Sequence, residues 1–304
     1  MLQFYLIKRK VLNGWLIIVD RKVYIDKKAA RRSFEYAANS YDKAAVLQTE
    51  IGTRMLNRLD YVKLKPKRIV DIGCGTGLHT EALLRLYPKA ILFGLDFAFS
   101  MVEKTKKRGR IFKRPIGICG DLDSLPLATN SCDLIFSNAA LQWSSSPDIA
   151  VSEMQRILKP GGLLMFSSFG PDTLKELREA WSSVGTENRV HQFIDMHQYG
   201  DMLMQAGFSD PVMDTESLCL TYTTVRNLMQ DLKSLGASNA SLSRSRSLTG
   251  PKKFKALTES YEQVRNTDGR LPASFEVIYG HAWGSEQRSS GSEIHVPIDV
   301  LKST

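Results

Sequence analysis

The stretch RIVDIGCGTG, residues 68–77, decides how the rest of the chain is read. Its β-branched start (Ile69, Val70, Ile72) suits a short buried strand, and the run stops at Gly73, Gly75 and Gly77. A helical pattern follows from His79 to Leu86. The glycines therefore sit at a strand-to-helix turn, where a backbone without Cβ atoms can approach a ligand closely. A dinucleotide fingerprint would place a further glycine where Leu78 stands, and no Lys-Ser/Thr pair follows to make a phosphate loop. Taken alone, the cluster also reads as a tight turn that holds no ligand.

Outward from that turn the same alternation repeats. ILFGLD (91–96) reads as a second buried strand, followed by a helix over Ser100–Arg108, and IGICGD (116–121) as a third. CDLIFSN (132–138) is a fourth. Ile149–Leu158 is an amphipathic helix ended by Lys159-Pro160-Gly161-Gly162, and GLLMFSSF (162–169) is a fifth strand. Strands alternating with helices of 10–15 residues imply βαβ units and a parallel sheet. VMDTESLCLTY (212–222) and ASFEVIYGHAW (273–283) read as further strands. The expected fold is α/β: a doubly wound, mostly parallel seven-stranded sheet.

Before the first strand, Lys27 to Asp60 is helical in pattern, with Phe34, Ala37, Ala38 and Tyr41, then Leu47, Ile51, Met55 and Leu59, recurring at three and four. Met196–Ala206, closed by Gly207, and Thr224–Leu235 and Phe254–Val264 are further helices. The segments 27–60 and 172–200 are expected as helical lid additions on the sheet's carboxyl edge, where ligands bind in such folds, with another insertion over about 224–265. No repeat and no composition shift marks a second domain. The expected organisation is an N-terminal extension (1–26), one domain (27–284) and a loose polar tail (285–304).

With 304 residues, such a chain buries roughly 75% of its unfolded surface and needs no staples. Its 43% hydrophobic and 24% charged residues exclude bulk disorder and fibrous classes. Cys74, Cys119, Cys132 and Cys219 form no C-x-x-C, so neither a disulfide framework nor a zinc ribbon is expected, and a reducing, cytoplasmic setting fits best. The apolar runs around Lys8-Arg9-Lys10 lack a cleavage pattern, and none approaches the ~18 residues of a membrane span. The net charge of +9 is local: residues 1–32 carry +7 and residues 103–114 carry +6, leaving −4 for the remainder. Two such patches fit an acidic macromolecular partner at least as well as a nucleic acid.

The glycine turn has acidic company. Asp71 ends the first strand, Asp96 lies 25 residues on at the end of the second, and Asp121 lies 25 beyond at the end of the third. An acid in the second position can accept both hydroxyls of a ribose, and one near the third can accept an exocyclic adenine amine. Three carboxylates lining one cleft favour a cationic ligand, such as one carrying an ammonium and a sulfonium, over a pyrophosphate.

VDIGCGTG, GLDFAFSM, GDLDSLPLATNSCDLIFSNAALQW and ILKPGGLLMFSSF resemble the successive motifs of class I S-adenosylmethionine-dependent methyltransferases, continuously from about Arg68 to Phe169. The resemblance implies S-adenosyl-L-methionine as cofactor, S-adenosyl-L-homocysteine as product and no metal. It further implies that Gly73, Gly75 and Gly77 cradle the methionine moiety with Asp71 near its amino group. Asp96 takes the ribose hydroxyls, Asp121 and Leu122 meet the adenine, and Asn138 sits beneath the sulfonium.

The flanking segments ARRSFEYAANSYDKAAVLQTEIGTRML, FGPDTLKELREAW, HQFIDMHQYGDML, LMQDLKSLGASNA and LPASFEVIYGHAW resemble the malonyl-[acyl-carrier-protein] O-methyltransferases of biotin synthesis, over about residues 27–284. That implies methylation of the free carboxylate of a malonyl thioester on acyl carrier protein, with no nucleic-acid partner. Such a carboxylate, with a pKa near ~4, is already the nucleophile at neutral pH, so no general base is expected. The protein's task is alignment and exclusion of water. Tyr41 and Gln48 are expected to close over the cofactor. Arg178 is the candidate for orienting the malonyl carboxylate, Trp143 for walling the acyl pocket and His191 for touching substrate. Lys104, Lys107 and Arg110 are the candidates for docking the acidic carrier. A respiratory complex I assembly factor that hydroxylates an arginine, a small-molecule methyltransferase and a non-catalytic cofactor-binding module stand as the alternatives.

Overall fold

Alternate residues of the central strands serve two separate cores, so the sheet is covered on both faces. The computed structural model describes residues 25–109, 113–185, 190–237, 240 and 250–285, together with the backbone of 10–12 and 15–17, which pair as a short antiparallel hairpin. Arg110, most of the serine-rich stretch 238–248, the tail beyond Ser285 and most of the N-terminal extension lie outside the described residues.

The sheet is built from β1 (Arg68–Ile72), β2 (Ile91–Asp96), β3 (Ile116–Cys119), β4 (Cys132–Ser137), β5 (Leu158–Phe169), β6 (Ser209–Tyr222) and β7 (Leu271–Trp283). Their order is β3-β2-β1-β4-β5-β7-β6. The first five are parallel, and β7 inserts antiparallel between β5 and β6. On one face Ile69, Leu134, Phe136, Leu163, Met165 and Val277 meet α3 (Val46–Leu59), α4 (Leu78–Leu86), α7 (Lys175–Val184) and α10 (Pro251–Glu262). On the other, Val70, Ile72, Ile135, Leu164, Phe166 and Ile278 meet α6 (Pro147–Ile157) and α8 (Met196–Ala206). The period of two thus feeds both layers, as a doubly wound sheet requires.

Two local expectations are refined. The helical pattern of 27–60 resolves into α1 (Lys27–Ala37), the single turn α2 (Tyr41–Ala44) and α3. The first break falls at Asn39-Ser40, where the Ser40 hydroxyl donates to the Ala37 carbonyl at 3.2 Å and competes with the helical ladder. Lys159-Pro160-Gly161-Gly162, expected to end the helix ahead of a strand from 162, lies inside β5, which starts directly after α6. The pairing of β4 with β5 slips between Cys132–Leu158 and Leu134–Leu163 to accommodate it.

Helix α1 is fastened across the sheet edge to α5 (Phe99–Thr105). The α5 N-cap position is Ala98, which has no side-chain acceptor. Glu35 of α1 supplies one instead, accepting from the backbone N–H of Phe99 at 2.7 Å and of Ser100 at 2.8 Å. Replacing a cap acceptor by alanine costs about 1 kcal/mol, so Glu35→Ala should lower Tm by roughly 2–4 °C in a chain of this size. Thermal unfolding of the two proteins checks this; an unchanged Tm would show that water replaces the carboxylate without cost.

Candidate functional site

The carboxyl ends of β1 and β2 hold the glycine turn by backbone and carboxylate together. Gly73 and Cys74 donate their N–H groups to the Leu95 carbonyl at 2.7 and 3.0 Å. The Asp96 carboxylate accepts from the N–H of Gly75 at 3.0 Å and of Ala98 at 2.9 Å. Gly73 and Gly77 have φ of +73° and +85°, and a Cβ at Gly73 would lie 2.3 Å from that of Ala140. At Gly77 it would meet the Thr105 backbone at 2.9 Å. Glycine is required at both positions by conformation and by space. A Cβ on Gly75 would instead stand 3.6 Å from the Tyr41 ring.

The turn opens into a cavity of about 540 Å³, whose lining includes Tyr41, Gln48, Gly73, Gly75, Asp96, Asp121, Leu122, Asn138, Trp143 and His191. The fold therefore brings ten of the sequence candidates to one space. Asn138 is pinned on every side that matters. Its amide N–H donates to the Gln48 carbonyl at 2.8 Å, and its oxygen accepts from the Ser167 hydroxyl at 2.8 Å. The following Ala139 sits at φ 50°, an unusual backbone for a non-glycine residue, and its N–H is bonded to the Ser167 side chain at 2.9 Å. Asp121 and Asp123 share the Lys27 ammonium at 2.6 and 2.5 Å, which ties α1 to the third strand's end.

Other candidates stand elsewhere. Asp71, only 2% exposed, accepts from the Thr80 hydroxyl at 2.5 Å and binds β1 to α4 behind the turn rather than lining the cavity. Arg178 is not among the lining residues: its guanidinium donates to the carbonyl of Thr173, which is, at 2.9 Å, and closes the first turn of α7. The start of that helix is itself fixed to β7, Leu174 donating to the Ser274 carbonyl at 2.6 Å. Lys104 and Lys107 lie at the end of α5, outside the lining, and Arg110 is outside the described residues.

Beyond Trp143 and His191, the wall was not anticipated from the sequence. Phe97, Phe34, Trp143, His191, Phe193, Phe169 and Phe275 form a continuous row of ring contacts along the cavity, with centroids 5.1–6.1 Å apart. His191 stacks on Trp143 with 19° between ring planes. Burial pushes its pKa down to about 4, so the ring is neutral at neutral pH. At the far end stand Leu177, Trp181, Leu220, Met229 and Leu232, together with Asp231, which accepts from the Tyr222 hydroxyl at 2.7 Å. Lys233, on α9 (Val225–Ser234), is the one cationic side chain among the described lining residues. Nothing in its sequence surroundings separated it from the other basic residues.

Residues 70–166 match the family model for a methyltransferase domain, and 4–114 match the model for protein-L-isoaspartate(D-aspartate) O-methyltransferase. A malonyl-[acyl-carrier protein] O-methyltransferase of Halorhodospira halophila is 47% identical, over 86% of this chain and 88% of its own. Its counterpart in Gallionella capsiferriformans is 48% identical, over 85% and 91%. This chain belongs to the malonyl-[acyl-carrier protein] O-methyltransferase family. Among solved structures, a putative methyltransferase of Bacillus halodurans superimposes with a TM-score of 0.55 at 15% identity, over 76% of this chain and 99% of that one. A phosphoethanolamine N-methyltransferase of Haemonchus contortus does so with 0.54 at 18%, over 83% and 57%. At such identities these two establish the shared fold, the seven-stranded sheet of class I methyltransferases. Among the described residues no helix is long and apolar enough to cross a membrane.

The fit of the site to the family's cofactor is testable on the cavity itself. The glycine turn leaves space for a bulky group that any Cβ at Gly75 would enter, the Asp96 and Asp121 carboxylates beside it suit a cationic ligand, and 540 Å³ is ordinary for a small-molecule site. Burial raises Asp96 to about 6, against the bonds from Ala98 and Gly75 that favour its ionised form. Ribose hydroxyls donate, so the ionised carboxylate is the binding form. Affinity for S-adenosyl-L-homocysteine should accordingly be level above pH 7 and fall by up to about tenfold per pH unit below 6, where protonation removes the acceptor. Asp96→Asn should bind weakly with no such slope. Titration calorimetry from pH 5 to 8 decides it; a level wild-type profile through pH 6 would remove Asp96 from the ribose.

Proposed function

We propose that this chain transfers a methyl group from S-adenosyl-L-methionine to the free carboxylate of a malonyl thioester on acyl carrier protein, releasing S-adenosyl-L-homocysteine. The ester so formed has lost its negative charge, which lets fatty-acid machinery take it as a primer, the role such an ester has in biotin synthesis. The observation that carries the reading is the make-up of this cavity: the glycine turn with Asp96 and Asp121 shares it with a row of aromatic rings and with Lys233, the one lysine or arginine among its described lining residues.

When bound, the cofactor supplies an electrophilic methyl on a sulfonium. Gly73 and Gly75 would cradle its methionine portion, Asp96 the ribose, and Asp121 with Leu122 the adenine side. Tyr41 and Gln48 close the wall opposite the glycine turn. The acceptor carboxylate, ionised at neutral pH, needs no proton removed, and the neutral His191 is free of any base role. The chain's own contribution is alignment and dryness. Asn138, held between Gln48 and Ser167, fixes the floor where the two ends meet, and the row from Phe34 to Phe275 excludes water from it. Lys233 is the partner for the malonyl carboxylate, in place of Arg178.

The test is methyl transfer from labelled S-adenosyl-L-methionine to malonyl-acyl carrier protein, with acetyl-acyl carrier protein as control. Label on the malonyl form alone is expected; label on both, or on neither, would defeat the reading. Lys233→Met should raise KM for the malonyl carrier roughly ten- to hundredfold, the scale of a charge-assisted hydrogen bond, with cofactor affinity kept. Lys233→Arg should recover most of the loss. A Lys233→Met protein with wild-type KM would place the carboxylate elsewhere.

A further inference from the structure

The partner surface expected from sequence lies on the 103–114 patch, yet the structure spends much of that charge internally. Lys106 is bound to Glu103 at 2.7 Å, and Arg108 to Asp42 at 2.6 Å and Glu81 at 3.6 Å. The Lys113 ammonium is buried. Helix α1 does the opposite. Its inner face is used up on the cavity roof: Ala30 and Ala37 are buried, Phe34 lines the cavity, and Lys27 is held by Asp121 and Asp123. Its outer face shows Lys28, Arg31, Arg32 and Tyr36 to solvent, the tyrosine 81% exposed.

The acids that could neutralise this face are engaged elsewhere. Glu35 caps α5 and touches Arg31 only at 3.7 Å, while Asp26 caps α1 itself by accepting from Ala29. Lys28 and Arg32, one turn apart, have no ion-pair partner among the described residues. The face also borders the substrate end of the cavity. Ser33, between Arg32 and Phe34, abuts Gly236, whose Cβ would stand 3.2 Å from the Ser33 backbone, three residues past Lys233. The preceding residues 1–26 add no net negative charge, with Lys8, Arg9, Lys10, Arg21 and Lys22 against Asp20 and Asp26.

We infer that the outer face of α1, through Lys28, Arg32 and the exposed Tyr36 ring, is the docking surface for the acidic helix of the acyl carrier protein. This rests on the carrier being the substrate, as proposed above. A cationic face with an exposed aromatic ring complements an acidic helix in charge and supplies apolar area at the centre. Its place on the cavity roof puts the carrier beside Lys233, so the malonyl group enters from the rim without crossing the cofactor end.

The experiment uses the full chain and the variants Lys28→Glu, Arg32→Glu and Arg32→Lys. It reads steady-state kinetics with malonyl-acyl carrier protein at low and moderate salt, and affinity for S-adenosyl-L-homocysteine. The reversals should raise KM for the carrier on the order of ten- to hundredfold at low salt, with kcat at saturation and cofactor affinity kept. Arg32→Lys should behave as wild type, and added salt should shrink the difference. An unchanged KM overturns the inference, as does a parallel loss of cofactor affinity, which would mark a structural role. A selective rise in KM from Lys104→Glu and Lys107→Glu, with none from α1, would move docking to α5. If the wild type methylates the carrier and the α1 reversals match it, only the docking assignment fails; a wild type with no methyl transfer fails the functional reading itself.

Discussion

The Asp96 carboxylate, 7% exposed at the end of β2, is the contact on which the site depends. It holds the glycine turn through Gly75 and the next helix through Ala98, while Leu95 beside it accepts from Gly73 and Cys74. These bonds cross between two strands, so they exist only if β1 and β2 end level. The register provides that, pairing Asp71 with Gly94 and Ile72 with Leu95. A carboxylate buried against its own preference is tolerated because two backbone donors face it, and the same burial leaves it with lone pairs for a ligand's hydroxyls. Structure and ligand site are thus one arrangement.

Helix α1 extends that arrangement from a floor to an enclosure. Four separate groups fix it: Glu35 on α5, Lys27 on Asp121 and Asp123, Phe34 against Trp143 and Phe97, and the Asp26 N–H on the Ala240 carbonyl at 2.7 Å. Three of the anchors are polar and lie at the edges, while the aromatic one lies over the cavity. The charged anchors therefore keep their water-facing sides, and the ring supplies the dry surface. Two acids of the cavity are likewise engaged, Asp121 with Lys27 and Asp231 with the Tyr222 hydroxyl, while Lys233 has no ion-pair partner among the described residues.

The motif stretch from 68 to 138 was legible because its chemistry is local in sequence. A strand end, a glycine with positive φ and an acid at the next strand end occur at fixed spacings in repeated βαβ units, so composition and period reveal them. The strand boundaries from β1 to β4 needed little adjustment for the same reason. The surroundings of Arg178 were not legible, because a helix position records which face a residue is on but not what the first turn needs. With the N-cap of α7 at Leu174, φ 54°, and no capping side chain there, the nearby Thr173 carbonyl attracts the guanidinium. Asp71 stands at the expected strand end, and only the fold shows that Thr80, on the following helix, donates to its carboxylate and that Asp71 is not among the lining residues.

The sequence by itself determined the doubly wound sheet, the glycine turn and the acid at each of the first strand ends. These follow from residue type, period and spacing, whereas the cofactor came from the resemblance of the motifs to class I methyltransferases. Only the tertiary structure decided which candidates share a cavity, that β7 inserts between β5 and β6, that the aromatic residues of six separate segments form one wall, and that Lys233, not Arg178, is among the residues lining that cavity. Each of those depends on contacts between residues far apart in the chain. Such contacts are set by how whole faces bury against one another, which no local pattern encodes.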